Sequence, residues 1–348
     1  MTDALRQEIS AVGRKARASF YRTVVRSNAR NRRSRHALKT TVAVVLVTGV
    51  FFWSDVQTRL MAAVAAAFLM QCVGGGDRAH QQRCMGWSAL AMVAISGAGP
   101  ALVGLPAVKE ALLVAAAFCV VRVRRLLRDA NAFPLFLFTY TVLATALPGG
   151  RDVAGRQMVG TAVAAAVSYV VYFYVGYQPD VPAPGVIPGP RTPWRTALAA
   201  MLAIGIAYAF HLPRAYWAVL TSVVVVSETW KESWRKVLER VGMTALGCGV
   251  AWGLHMPTAH LPHVELGLMF LFVYLAVHFR GASYPLMTFF ITLYVAFLFS
   301  VLGEWSGGIL LVRMYETAIG GATALAAAAM VRPRRDRPED GPSGTRMI

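Results

Sequence analysis

Apolar runs recur along the chain from residue 37 to residue 331, and charged residues fall almost entirely between them. Such runs are typical of membrane helices, because a charge placed in hydrocarbon costs several kcal/mol or more. Some runs are shorter than the ~20 residues that a perpendicular span needs, so ten spans is the alternative to twelve. The pattern predicts six helices in each half of the chain: 37–53, 58–73, 86–104, 107–123, 132–148, 156–176, 194–210, 214–228, 241–255, 263–279, 284–302 and 308–331.

The composition excludes a soluble protein, and the positions of the basic residues show that the positive charge lies mainly in loops and tails. The chain is 56% hydrophobic and 15% charged, against about 25% charged residues in a typical soluble domain. A net charge of +18 would suggest nucleic acid in a soluble protein. Here the basic residues lie in the amphipathic segment 1–35, in alternate loops and in the tail 332–348. This placement predicts cytoplasmic termini, contact with anionic membrane lipids and no nucleic-acid partner.

Short matching segments in the same order indicate an internal duplication. RHAL at 35–38 matches RTAL at 195–198, GWSAL at 86–90 matches GMTAL at 242–246, and FPL at 133–135 matches YPL at 284–286. We therefore predict an all-α transmembrane fold of two parallel six-helix repeats. The boundaries are 36–177 for the first half, 178–193 for a Pro-rich linker and 194–331 for the second half.

Three motifs in the second half carry a resemblance to a known family. They are YWAVLT at 216–221, RVGMTALG at 240–247 after a basic stretch, and RMYETAIG at 313–320. The chain resembles the fusaric acid resistance family, also called the aromatic acid exporter family. It is similar to a short form, without the large cytoplasmic domain of long members.

The resemblance implies a multi-pass protein of the bacterial inner membrane that exports aromatic carboxylic acids or related toxic organic anions, driven by the proton gradient. A passive organic-anion channel is one alternative, because plant malate channels look like distant relatives. A membrane scaffold that transports nothing is another. The resemblance also leaves open a homodimer and a periplasmic adaptor protein as partners.

Four arginines at repeat-related positions are the candidate substrate-binding residues. Arg59 and Arg214 lie at the predicted outer start of the second helix of each half, and Arg156 and Arg313 near the outer start of the sixth. A guanidinium can bind a carboxylate through two hydrogen bonds, so these positions suit an organic anion. The alternative is that each arginine extends from the membrane to the interface.

Glu316 is one of few acids inside an apolar run, and it follows Arg313 by three residues on the same helical face. A carboxyl group in such a place could load and release a proton. We predict that Glu316 couples proton movement to transport, with Arg313 as its charge partner or as the substrate anchor. A structural ion pair is the alternative.

The remaining residue types predict neither catalysis nor a cofactor. The chain has no P-loop, HExxH or GxSxG motif, so we predict that it is not an enzyme. Its four cysteines show no CxxC spacing. His255, His260 and His263 lie close together but match no standard zinc spacing, so no metal is predicted.

Overall fold

The computed structural model describes residues 31–73, 77–126, 133–146, 151–175, 189–212, 214–280 and 282–331. Within these residues the protein is all-helical, with twelve α-helices, one 3-10 turn at Leu102–Gly104 and no strands. The predicted all-α class is confirmed. The helices are α1 (31–50), α2 (Val56–Cys72), α3 (Arg78–Ala101), α4 (Pro106–Leu126), α5 (Phe133–Ala146), α6 (Arg151–Tyr174), α7 (Thr192–Ala209), α8 (Tyr216–Val225), α9 (Trp230–Thr258), α10 (Pro262–Phe279), α11 (Tyr284–Val301) and α12 (Gly307–Met330).

Four helices in the described part of the chain are long and apolar enough to cross a membrane: Asp152–Tyr174, Pro262–Phe279, Tyr284–Val301 and Gly307–Met330. Three shorter apolar helices accompany them, at Val56–Cys72, Pro134–Ala146 and Tyr216–Val225. The count of twelve spans and the cytoplasmic termini stay predictions. The segment 1–30 and the tail 332–348 lie outside the described residues, as does most of the Pro-rich linker.

Two predicted loops, 74–85 and 229–240, are largely helical instead. Helix α3 already begins at Arg78 and α9 at Trp230. The side chain of Asp77 accepts the His80 N–H at 2.8 Å, and that of Thr229 accepts the Glu232 N–H at 3.2 Å, so each helix start is capped. Charged residues end an apolar run, but they do not end a helix, because Lys, Arg, Glu and Gln are good helix formers.

The chain forms two compact units, and each draws on three separate stretches. Unit 1 takes its described residues from Met1–Ala94, Gly155–Ala183 and Leu246–Trp305, and unit 2 from Ile95–Ala154, Pro184–Ala245 and Ser306–Ile348. Unit 1 therefore contains α1, α2, most of α6, α10 and α11, while unit 2 contains α7, α8, α12, α4 and α5. Each unit thus combines the first, second and sixth helices of one predicted half with the fourth and fifth of the other. An internal duplication would produce this pattern, and the duplication itself stays a prediction.

In unit 2, α12 packs against both α7 and α8, and α4 packs against α5 and α7. Small residues allow the close approach of α12 to α8. A Cβ added at Gly320 would lie 2.8 Å from Cβ of Thr221 and closer still to the carbonyl oxygen of Ala218. Glycine at this position therefore sets the separation of the two helices, as small residues do between membrane helices.

Arg195 of α7 holds the ends of two neighbouring helices in unit 2. Its side chain is buried, with 2% exposed. It donates hydrogen bonds to the carbonyl oxygens of Val331 at 2.6 Å and Ser227 at 3.2 Å, and also to that of Glu228. These carbonyls follow the last turns of α12 and α8, where helices leave acceptors unsatisfied, so the guanidinium satisfies groups that would otherwise be buried without a donor.

Unit 1 is held by similar close contacts between helices. Helix α10 packs against α11. A Cβ at Gly160 of α6 would lie 3.1 Å from the Thr58 methyl group of α2. The Lys39 ammonium of α1 donates to the carbonyl oxygen of Tyr172 of α6 at 3.3 Å, and Gln71 donates to Thr40 at 3.1 Å. These contacts join α1, α2 and α6.

Candidate functional site

Arg313 of α12 lies over the indole ring of Trp217 of α8. The guanidinium carbon is 4.0 Å from the ring centroid, and the arginine is 4% exposed. A cation over an aromatic face is attracted by the ring electrons, and the attraction grows when water is excluded. Trp217 therefore orients a buried cation near the start of α8.

Glu316 lies one turn further along α12 and is fully buried. Its Oε1 accepts the backbone N–H of Arg214 at 2.9 Å. Its Oε2 is buried and has no hydrogen-bond partner among the residues that the structure describes. Burying such an oxygen without a partner is costly. This oxygen is therefore a place where a proton or a ligand can bind.

Arg214 lies two residues before the start of α8 and completes the group. Its Nη1 donates to the Tyr216 hydroxyl at 3.4 Å, while its backbone N–H is used by Glu316. Three of the five predicted site residues, Arg214, Arg313 and Glu316, thus meet in unit 2. With Tyr216 and Trp217 they form what we call the α8–α12 cluster.

The other two predicted residues, Arg59 and Arg156, meet in unit 1. Nε of Arg156 lies 3.2 Å from Oδ1 of Asp55, and the Arg156 side chain is 56% exposed. Arg59 donates to the carbonyl oxygen of Ser54 at 2.9 Å and lies over the Phe52 ring at 5.6 Å. Of the four arginines, only Arg313 is buried against an aromatic ring, whereas Arg156 forms a half-exposed ion pair.

Asp55 is the residue that ties Arg156 to the start of α2. It accepts the Thr58 backbone N–H at 3.0 Å and the Thr58 hydroxyl at 2.9 Å, so it caps the helix. Burial raises the pKa of Asp55, but these hydrogen bonds and the charge of Arg156 outweigh burial, so the pKa lies below its ordinary value. The carboxylate is therefore held in its charged form.

A buried glutamate in unit 1 is missed by the sequence analysis. Glu265 of α10 is 5% exposed, and its Oε1 lies 2.7 Å from Nδ1 of His255. Its Oε2 accepts the Ser300 hydroxyl at 2.7 Å. His255 lies in the last turn of α9. Among the described residues no three His, Cys, Asp or Glu side chains are grouped to hold a metal ion.

The second half of the chain is similar to a known protein family. Residues 202–327 match a family model described as fusaric acid resistance protein-like. This part of the chain is therefore similar to the fusaric acid resistance family. The match confirms the resemblance carried by the three motifs, and it contains the entire α8–α12 cluster. Together with the apolar helices, it indicates a membrane protein.

The chain is also similar to an uncharacterised protein of Haemophilus influenzae. It is 31% identical over 141 residues, which are 40% of this chain and 19% of the Haemophilus protein. The chain thus spans a small part of that relative's length. No solved structure shows significant similarity to the chain.

Proposed function

We propose that the protein is a secondary transporter of the bacterial inner membrane that exports aromatic carboxylates or related organic anions and uses the proton gradient. The family match to residues 202–327 supports transport. The observation that carries the anion specificity is the buried guanidinium of Arg313 on the Trp217 ring, one helical turn from a buried carboxyl group.

The α8–α12 cluster offers the two contacts that an aromatic carboxylate needs. Guanidinium N–H groups can bind its carboxylate, and Trp217 and Tyr216 offer faces for its ring. Arg214 lies beside Tyr216 and supplies a second cation. Arg59 and Arg156, with the Asp55 carboxylate, form a more exposed group through which an anion could pass.

In this proposal Glu316 is the group that binds and releases the proton that drives transport. The negative charge of ionised Glu316 repels a substrate carboxylate. Protonation of Glu316 therefore changes how strongly Arg214 and Arg313 hold an anion. The Oε2 atom without a partner in the described structure is the position where the proton can bind. Substrate binding and proton binding are thereby linked at one site.

The test is uptake of radiolabelled hydroxybenzoate into liposomes that contain the full chain, with and without an imposed pH gradient. Protein-free liposomes give the baseline, because the neutral acid also crosses lipid. The proposal predicts accumulation above this baseline that a protonophore abolishes. Movement that only equilibrates, carries current and ignores the pH gradient would indicate a passive anion channel instead. No protein-dependent movement across a panel of aromatic anions would contradict transport of this substrate class.

A further inference from the structure

The side chains around His255 form a second polar group, which the α8–α12 cluster does not include. Three helices of unit 1 contribute to it: α9 supplies His255, α10 supplies Glu265 and α11 supplies Ser300. The loop after α11 adds Trp305, whose ring stacks on His255 with centroids 3.9 Å apart and planes at 27°. We call these four residues the His255 group.

The hydrogen bonds of the His255 group determine which nitrogen of the imidazole can accept a proton. Oε2 of Glu265 accepts from Ser300, and Oε1 lies 2.7 Å from Nδ1 of His255. A carboxylate only accepts hydrogen bonds, so Nδ1 must carry the hydrogen that joins it to Oε1. Nε2 is then the basic nitrogen. The His255 side chain is 16% exposed.

Groups from three parts of unit 1 face the His255 imidazole. Glu265 faces it from α10, and Trp305 offers a ring face to an imidazolium. Helix α11 contributes the uncharged hydroxyl of Ser300, 3.3 Å from Nδ1. The other titratable side chains in the two adjoining loops and helix ends are exposed: His260, His263 and Glu304.

The position of Trp305 is determined by a tight turn at the end of α11. Gly303 has φ +75, and its N–H donates to the carbonyl oxygen of Ser300 at 2.9 Å. The N–H of Glu304 donates to the carbonyl oxygen of Phe299, also at 2.9 Å. These two bonds form a Schellman motif, in which a left-handed residue ends a helix. Residue 305 therefore leaves the helix in a defined direction.

Trp305 also lies two residues before the start of α12. The next residue, Ser306, caps that helix by accepting the Ile309 N–H at 3.2 Å. Arg313 and Glu316 follow within the first three turns of α12. Trp305 is therefore joined through the chain to the residue that caps the helix of the proposed transport site.

We propose that His255, oriented by Glu265 and stacked on Trp305, is a proton-binding site separate from Glu316, and that its charge controls how tightly the segment leading into α12 is held. Histidine is the side chain that changes charge near neutral pH. The proton site stands on the geometry of unit 1 alone, whereas its effect on transport rests on the proposed function.

The test is a pH titration of tryptophan emission from the full chain in nanodiscs. The chain has eight tryptophans, so the Trp305 contribution is the difference between the wild type and Trp305→Phe. An imidazolium stacked on indole quenches its emission, so we expect this contribution to fall between pH 9 and pH 5. His255→Gln should abolish the change.

His263→Gln is the matched control, because His263 is an exposed histidine of the same region and should leave the titration unchanged. A Trp305 contribution that is flat with pH would overturn the proposal, as would a titration that persists in His255→Gln. Far-UV circular dichroism confirms that each variant is folded. The pH profile of hydroxybenzoate uptake should also differ between the wild type and Trp305→Phe. If no uptake occurs at all, the transport proposal fails while the emission titration still decides the proton site.

Discussion

The backbone N–H of Arg214 donates a hydrogen bond of 2.9 Å to Oε1 of Glu316. The bond joins a residue two positions before the start of α8 to a fully buried carboxyl group of α12. Because the donor is a backbone group, substitution of the Arg214 side chain does not remove it. The carboxyl group can therefore gain or lose a proton at Oε2, while the hydrogen bond to Oε1 holds it in position.

The stacked arginine of the α8–α12 cluster should be sensitive to a change that preserves its charge. Arg313→Lys keeps the cation but loses the flat guanidinium that lies on Trp217 and binds carboxylates through two bonds. We expect the KM for hydroxybenzoate uptake to rise roughly tenfold, which corresponds to about 1.4 kcal/mol. Initial uptake rates over a range of concentrations measure the change.

Arg235→Lys is the control for Arg313→Lys, because the Arg235 side chain is 69% exposed and pairs with Glu239 on the surface of α9. Its KM should match that of the wild type. Equal KM values for Arg313→Lys and the wild type would show that the guanidinium on Trp217 does not bind substrate.

The contact between α8 and α12 predicts a large effect of a single methyl group. Gly320→Ala would place its Cβ against the carbonyl of Ala218 and the side chain of Thr221. We expect destabilisation by about 1–3 kcal/mol, as for other overpacked sites. Gly249→Ala in α9 is the control, because nothing lies within 4 Å of its added Cβ; alanine there should be neutral or stabilising by up to about 1 kcal/mol. Thermal unfolding in detergent compares the two, and equal melting temperatures would contradict the close packing.

Asp55 should contribute stability that depends on pH. Asp55→Ala removes the cap of α2 and should cost about 1 kcal/mol. Asp55→Asn keeps the cap but removes the ion pair with the half-exposed Arg156, and should cost less. Because the folded-state pKa of Asp55 is lowered, its stabilisation is complete above the unfolded-state pKa and is lost as the pH falls through the folded-state pKa. The wild type should therefore melt at a higher temperature than Asp55→Asn at neutral pH, and the difference should shrink at acid pH.

Hydropathy predicts the existence of the helices more accurately than it predicts their ends. Each apolar run contains most of one helix, because a segment in lipid must satisfy its backbone hydrogen bonds internally. The predicted starts of α3 and α9 were wrong because an apolar run marks the stretch that suits hydrocarbon. Helix α9 also includes the charged residues Lys231 and Arg235, and it begins directly after Thr229, whose side chain caps its first turn.

The candidate site was predictable only where its residues share a helix. The spacing of Arg313 and Glu316 places both on one face of α12, and the structure brings both to the start of α8. The backbone N–H of Arg214 could not be foreseen, because backbone donors carry no mark in a sequence. The contact of His255 with Glu265 joins two helices, so hydropathy showed neither residue as special.

Glu316→Gln tests the central claim most directly. Glutamine keeps the size of the side chain and can accept the Arg214 hydrogen bond, but it cannot bind and release a proton. Two assays in liposomes compare it with the wild type: accumulation of hydroxybenzoate driven by a pH gradient, and exchange of labelled for unlabelled hydroxybenzoate without a gradient. The account predicts that the variant loses accumulation and retains exchange. Full gradient-driven accumulation by Glu316→Gln would contradict the assignment of Glu316 as the proton-coupling residue.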